Sequence, residues 1–152
     1  MSGEQRAVVR RRVEFGAAEL IPDLSRSNGW LLTVDGVLQS YVDLADPAYL
    51  YMPYAQWVRQ AVDRHWPAAE SITAVVIGGG GFTVPRYLAT SRPGSTLTVY
   101  ELDGPLVELV REHLELDAID GLRVRVRDGA KGLASTDDGG VDLVVQDAYR
   151  AG

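Results

Sequence analysis

A chain of 152 residues has the length of one domain, which holds roughly 100–200 residues. Its 46% hydrophobic and 24% charged residues are ordinary globular usage and exclude disordered and fibrous classes. The formal charge of −6 argues against nucleic-acid binding, which needs a basic surface to neutralise phosphates. With no cysteine, disulfides, Cys-based zinc sites and thiol nucleophiles are excluded. No apolar run approaches the ~18–20 residues that cross a bilayer. The start, Met1 to Arg6, has no apolar core after its positive charges, so it does not read as a secretory signal. A cytoplasmic location and no membrane partner are expected.

Residues 1–29 read as an N-terminal segment. Within it, residues 1–13 carry Arg6, Arg10, Arg11 and Arg12 and read as a solvated terminus rather than a basic arm. Residues 30–45 form a predicted β-hairpin. Trp30–Val34 and Val37–Tyr41 flank Asp35-Gly36, and that pair favours a two-residue type I′ turn because both positions need positive φ. Residues 46–152 then read as a nucleoside-binding unit within the same compact domain. Tyr54, Trp57, Val58, Ala61 and Val62 recur at helical spacing as a core stripe. Asp46-Pro47 or Met52-Pro53 starts this helix and Trp66-Pro67 stops it.

Strand and helix signals alternate from Ala74. Ala74–Ile77 is an apolar strand running into four glycines, and Thr83–Ala89 a helix with Pro85 in its first turn. Leu97–Tyr100 is a second strand, and Pro105–Leu116 a helix with Leu106, Leu109, Val110 and Leu114 on one face. Leu122–Arg127 alternates as an outer strand with Arg123, Arg125 and Arg127 in solvent. Val141–Val145 is a buried strand ending at Gln146-Asp147. The alternation predicts an α/β, Rossmann-like parallel sheet in the order 3-2-1-4, preceded by the antiparallel hairpin. The chain ends five residues beyond Asp147. The last strand is therefore expected to leave an open edge, as in a fragment of a longer protein or a chain covered by a partner such as a second copy.

The chemistry-bearing residues fall at the carboxyl ends of these strands, where parallel sheets bind ligands. Gly78-Gly79-Gly80-Gly81 links strand to helix and lets a ligand approach backbone N–H groups, although Thr83 leaves G-x-G-x-x-G incomplete. Glu101 closes the second strand twenty-three residues after Gly78, near the ~20-residue spacing of a carboxylate that binds ribose hydroxyls. Asp103, before Gly104-Pro105, reads equally as a helix N-cap. Asp128-Gly129 follows the third strand and Asp147 the fourth. His65 and His113 make no metal pair, Glu112, His113 and Glu115 read as a solvated helix face, and no Gly-x-Ser-x-Gly elbow is present. No metal is expected.

In order, Asp35-Gly36-Val37-Leu38-Gln39, Gly78-Gly79-Gly80, Tyr100-Glu101-Leu102-Asp103, Asp128-Gly129 and Val145-Gln146-Asp147 resemble the spermidine synthase-type aminopropyltransferases. These share the fold of class I S-adenosylmethionine methyltransferases. The resemblance spans roughly residues 30–150 and little more than half of a full family member. It implies transfer of an aminopropyl group from decarboxylated S-adenosylmethionine to an amine. It also implies that Gln39 touches the nucleoside or sulfonium side and that Gly78, Gly79 and Gly80 line the ligand. Glu101 would hold the ribose, Asp128 with Gly129 the adenine, and Asp147 would take the proton of the attacking amine.

Three positions depart from that family. Gly81 stands where an aspartate follows the triglycine, Arg150 where a second polyamine-binding aspartate is expected, and Tyr49-Leu50-Tyr51-Met52 where a tyrosine–glutamine–glutamate signature is expected. Efficient transfer to putrescine is therefore not expected. Three readings stay open. One is a transferase using S-adenosylmethionine or its decarboxylated form, moving an aminopropyl or a methyl group. Another is a non-catalytic nucleoside-binding or structural domain. A nicotinamide-dependent oxidoreductase is the third.

Overall fold

The computed structural model describes residues 6–134 and 140–147, which fold into two four-stranded sheets and four α-helices. The first sheet is an antiparallel meander of β1 (Val9–Val13), β2 (Gly16–Pro22), β3 (Gly29–Val34) and β4 (Val37–Asp43). The predicted hairpin is its second half. Asp35 and Gly36 take φ of 50° and 78°, as the type I′ turn requires.

The first half corrects the reading of residues 1–13 as a loose terminus. Val9–Val13 pairs with Gly16–Leu20, and Val13, Ala18 and Leu20 are buried. The arginine-rich composition of β1 hid a period-two pattern in which Val9, Arg11 and Val13 are the less exposed positions. Arg6 is also tied down. Its guanidinium donates to the carbonyls of Gly29, Asp23 and Arg26 at 2.8–2.9 Å and lies over the Trp30 ring.

The second sheet contains β5 (Thr73–Ile77), β6 (Thr96–Glu101), β7 (Leu122–Val126) and β8 (Leu143–Gln146), all parallel, in the spatial order β7-β6-β5-β8. This is the expected 3-2-1-4 arrangement. Central β5 is apolar because both of its faces are covered: Ala74, Val75 and Val76 are each at most 2% exposed. At the edge, β7 puts Arg123 and Arg125 in solvent, so its arginine row is a wetted face. The other edge is β8.

Helix α1 (Pro53–His65) starts with Pro53 after extended Met52 and stops before Trp66-Pro67. Its buried residues are Ala55 and Val62, whereas Trp57 is 68% exposed and Ala61 is exposed. The expected core stripe is thus rotated away from Trp57. Helix α2 (Thr83–Ser91) follows the glycine loop, and α3 (Gly104–His113) buries Leu106, Leu109 and Val110. The latter ends earlier than its apolar pattern predicts. Glu115 adopts a left-handed conformation, and a 3-10 turn, Leu116–Ala118, follows, leaving Leu114 and Leu116 both buried. Helix α4 (Gly129–Ala134) is too short to show a helical period in sequence.

Asp103 joins the two halves. As the N-cap of α3 it accepts from Leu106 N at 3.0 Å, and the same carboxylate accepts from Glu14 N at 3.1 Å and Phe15 N at 3.4 Å in the β1–β2 turn. Arg11 adds an ion pair to Glu112 at 2.7 Å. Asp103 is a structural residue, in line with its reading as a cap.

Candidate active site

The glycine loop leaves β5 through Gly78 and Gly80, whose φ of 92° and 53° suit glycine. Phe82 follows with φ 64° as the N-cap of α2. A non-glycine residue held there costs on the order of 1–3 kcal/mol. Its burial (0% exposed) and its hydrogen bond to Gly79 O at 2.8 Å fix it in place.

All the loop N–H groups are engaged within the protein. Gly78 N donates to Tyr100 O at 2.8 Å. Gly79 N donates to Glu101 Oε1 at 3.0 Å, and Gly80 N reaches the same oxygen at 3.5 Å. Gly81 N donates to Ser40 Oγ at 2.8 Å. A phosphate-binding loop keeps such donors free for its anion. Here a carboxylate already occupies the anion position. The other Glu101 oxygen accepts from Asp103 N at 2.9 Å, so both carboxylate oxygens are oriented at the end of β6.

Asp147 follows β8 and is anchored by its N–H to Ile77 O at 2.7 Å. Burial dominates and leaves its carboxyl at about 6, with the Tyr54 phenol acting to lower it and the Glu101 charge acting to raise it. Tyr54 comes from the first turn of α1. Its own phenol is pushed well above the usual range by burial and by the Asp147 carboxylate, with Thr83 working in the opposite direction. Sequence reasoning placed Tyr54 in a packing stripe and gave it no chemistry. A hydroxyl one turn inside a helix facing a strand end leaves no mark in the residue pattern.

The remaining predicted residues distribute as follows. Asp128 accepts from Ala130 N at 2.9 Å and Lys131 N at 3.1 Å through Oδ1, capping α4 beside the site. At Gly129, a Cβ would sit 2.3 Å from Ile77 Cγ2, so this glycine lets α4 close onto the end of β5. Gln39 donates to Val37 O at 3.3 Å; the contact from β4 to the glycine loop comes from its neighbour Ser40. Arg150 lies outside the described residues. Among those described, no cluster of three metal-ligating side chains occurs, and no helix is long and apolar enough to cross a membrane.

No family model matches the chain. Its structure is similar to that of a probable spermidine synthase from Corynebacterium glutamicum, with a TM-score of 0.84, 28% sequence identity and 97% of this chain covered. A spermidine synthase solved in complex with the transition state analogue AdoDATO (TM-score 0.69, 14% identity, 93% of this chain) and spermidine synthase from Thermotoga maritima (TM-score 0.70, 14% identity, 95%) share the fold. The chain spans about half the length of these three structures, at 54%, 46% and 48%.

Proposed function

We propose that this spermidine synthase-like chain carries the donor half of a transferase site for S-adenosylmethionine or its decarboxylated form. The observation that carries the reading is the pair of acids at the ends of β6 and β8, the two strands that flank β5. Glu101 is oriented by backbone N–H groups, and Asp147 is half-buried near Tyr54 with its carboxyl raised to about 6. Two carboxylates at this end of the sheet suit a sulfonium cation and ribose hydroxyls, and they repel a pyrophosphate. With the loop donors already engaged, this disfavours a nicotinamide dinucleotide. The complex of a fold relative with AdoDATO supports the same class of ligand.

When bound, the donor supplies an electrophilic carbon on its sulfonium sulfur. Glu101 accepts hydrogen bonds from the ribose hydroxyls and orients that carbon. Asp147 accepts the proton of the attacking nucleophile. A carboxyl near 6 is ionised at neutral pH yet basic enough to share the proton. Tyr54 lies close enough to Asp147 to favour its ionised form. Asp128 and Gly129 wall the side toward the base.

The acceptor is not putrescine on this reading, because Gly81 leaves no acid on the loop for a diamine. Isothermal titration with methylthioadenosine, S-adenosylmethionine, decarboxylated S-adenosylmethionine and NAD tests the proposal. Micromolar binding of an adenosyl thioether or sulfonium, without NAD binding, is the expected result. Binding of NAD, or of none of the four, overturns it. A nucleoside-binding domain without turnover is the second reading, favoured by the missing side chain at Gly81. It predicts binding without release of methylthioadenosine or S-adenosylhomocysteine in any acceptor assay.

A further inference from the structure

We infer that Ser40 and Arg86 are positioning residues that clamp Gly81 through its N–H and its C=O, so that the antiparallel sheet sets the geometry of the ligand loop. Ser40 Oγ accepts from Gly81 N at 2.8 Å, and Arg86 Nε donates to Gly81 O at 2.9 Å. Ser40 is 2% and Arg86 7% exposed. Two residues further along the chain, Thr83 Oγ1 donates to Tyr41 O at 2.8 Å. Two consecutive residues of β4 therefore hold the start of α2.

A one-residue bulge makes the clamp possible. Between the pairs Leu32↔Ser40 and Thr33↔Leu38, Gln39 has no partner on β3. Had the turn register continued unbroken, Gln39 would face Leu32 and Ser40 would lie on the other side, because a one-residue slip exchanges the faces of a strand. The bulge puts Ser40, with Val42, on the side that meets the loop. The same placement closes the space beside Gly81, where a Cβ would come within 2.8 Å of both Ser40 Oγ and Val42 Cγ2.

Arg86 is hard to account for by stability alone. Its Nη2 is buried without a partner among the described residues, and burial, against the opposing Glu115 charge, leaves the guanidinium at about 10. A buried cation with an unsatisfied donor is costly. Its side-chain hydrogen bond goes to the loop carbonyl between two left-handed residues, Gly80 and Phe82. The clamp therefore maintains an unfavourable backbone conformation where the ligand is expected.

The ligand part of this inference rests on the proposed adenosyl site, and the loop part does not. The test is amide hydrogen exchange of residues 79–82 in the wild-type chain, Ser40→Ala and Arg86→Met, with methylthioadenosine titrations alongside. Ser40→Ala is expected to speed exchange in the loop about ten-fold, leave β5 and β6 protected, and weaken methylthioadenosine several-fold. Unchanged loop exchange in folded Ser40→Ala overturns the clamp, as does exchange that rises equally in β5 and β6. If Arg86→Met fails to fold, Ser40→Ala decides alone. Faster loop exchange in a chain that never binds methylthioadenosine upholds the clamp and overturns the functional reading instead.

Discussion

Glu101 turns back from the end of β6 to accept the Gly79 N–H at 3.0 Å while its second oxygen takes the Asp103 N–H at 2.9 Å. One side chain thus orders the loop and presents a fixed negative charge to the cleft. Glu101→Gln keeps the size, removes the charge and leaves a single acceptor oxygen. Charge-assisted hydrogen bonds are worth about 1.5–3 kcal/mol. Affinity for methylthioadenosine is therefore expected to fall by tens of fold in a folded variant, as read by calorimetry. Undiminished affinity would confine Glu101 to a structural role.

The link between the two sheets predicts a stability effect remote from any ligand. Removing an N-cap acceptor costs about 1 kcal/mol, and Asp103→Ala also strips the Glu14 and Phe15 amides of their acceptor. A loss of roughly 2–3 kcal/mol is expected in urea denaturation. Asp103→Asn keeps one acceptor oxygen and should lose about half as much. A loss below about 0.5 kcal/mol for Asp103→Ala would mean that the β1–β2 turn is held by other contacts.

Much of the fold was legible because its signals are local. Asp35-Gly36 specified a turn through backbone sterics, and the apolar runs at Ala74 and Leu97 specified parallel strands through their burial. The placement of Glu101 against the glycine loop was legible from its spacing to Gly78. What escaped was non-local. The bulge that replaces Gln39 by Ser40 is invisible in β4 alone, since it appears only against the partner register of β3. Tyr54 and Trp57 share one helical spacing, yet one meets Asp147 and the other meets solvent. Their difference is set by how α1 sits on the sheet. The burial of β1 was masked by three arginines, whose exposed faces dominate its composition.

Protonation of Asp147 couples both stability and activity to pH. Burial raises its carboxyl to about 6 in the fold from the ordinary 3.8, so the folded chain binds this proton more tightly than the unfolded chain. The stability it contributes is fully present below about pH 3.8 and is lost as the pH rises through 6. Asp147→Asn lacks this titration. It should match the wild type near pH 4 and exceed it by roughly 1–2 kcal/mol at pH 8, while abolishing any transfer activity. In the wild type, activity should rise with pH along a limb centred near 6, because only the ionised carboxylate accepts a proton. Tyr54 sets the position of that limb. Its phenol lowers the Asp147 carboxyl, so Tyr54→Phe should move the midpoint upward and cost more activity at pH 6 than at pH 8. Carboxyl-carbon NMR of Asp147 reads the midpoint without turnover. A midpoint in Tyr54→Phe that stays put or moves down would show that the phenol does not act on this carboxylate.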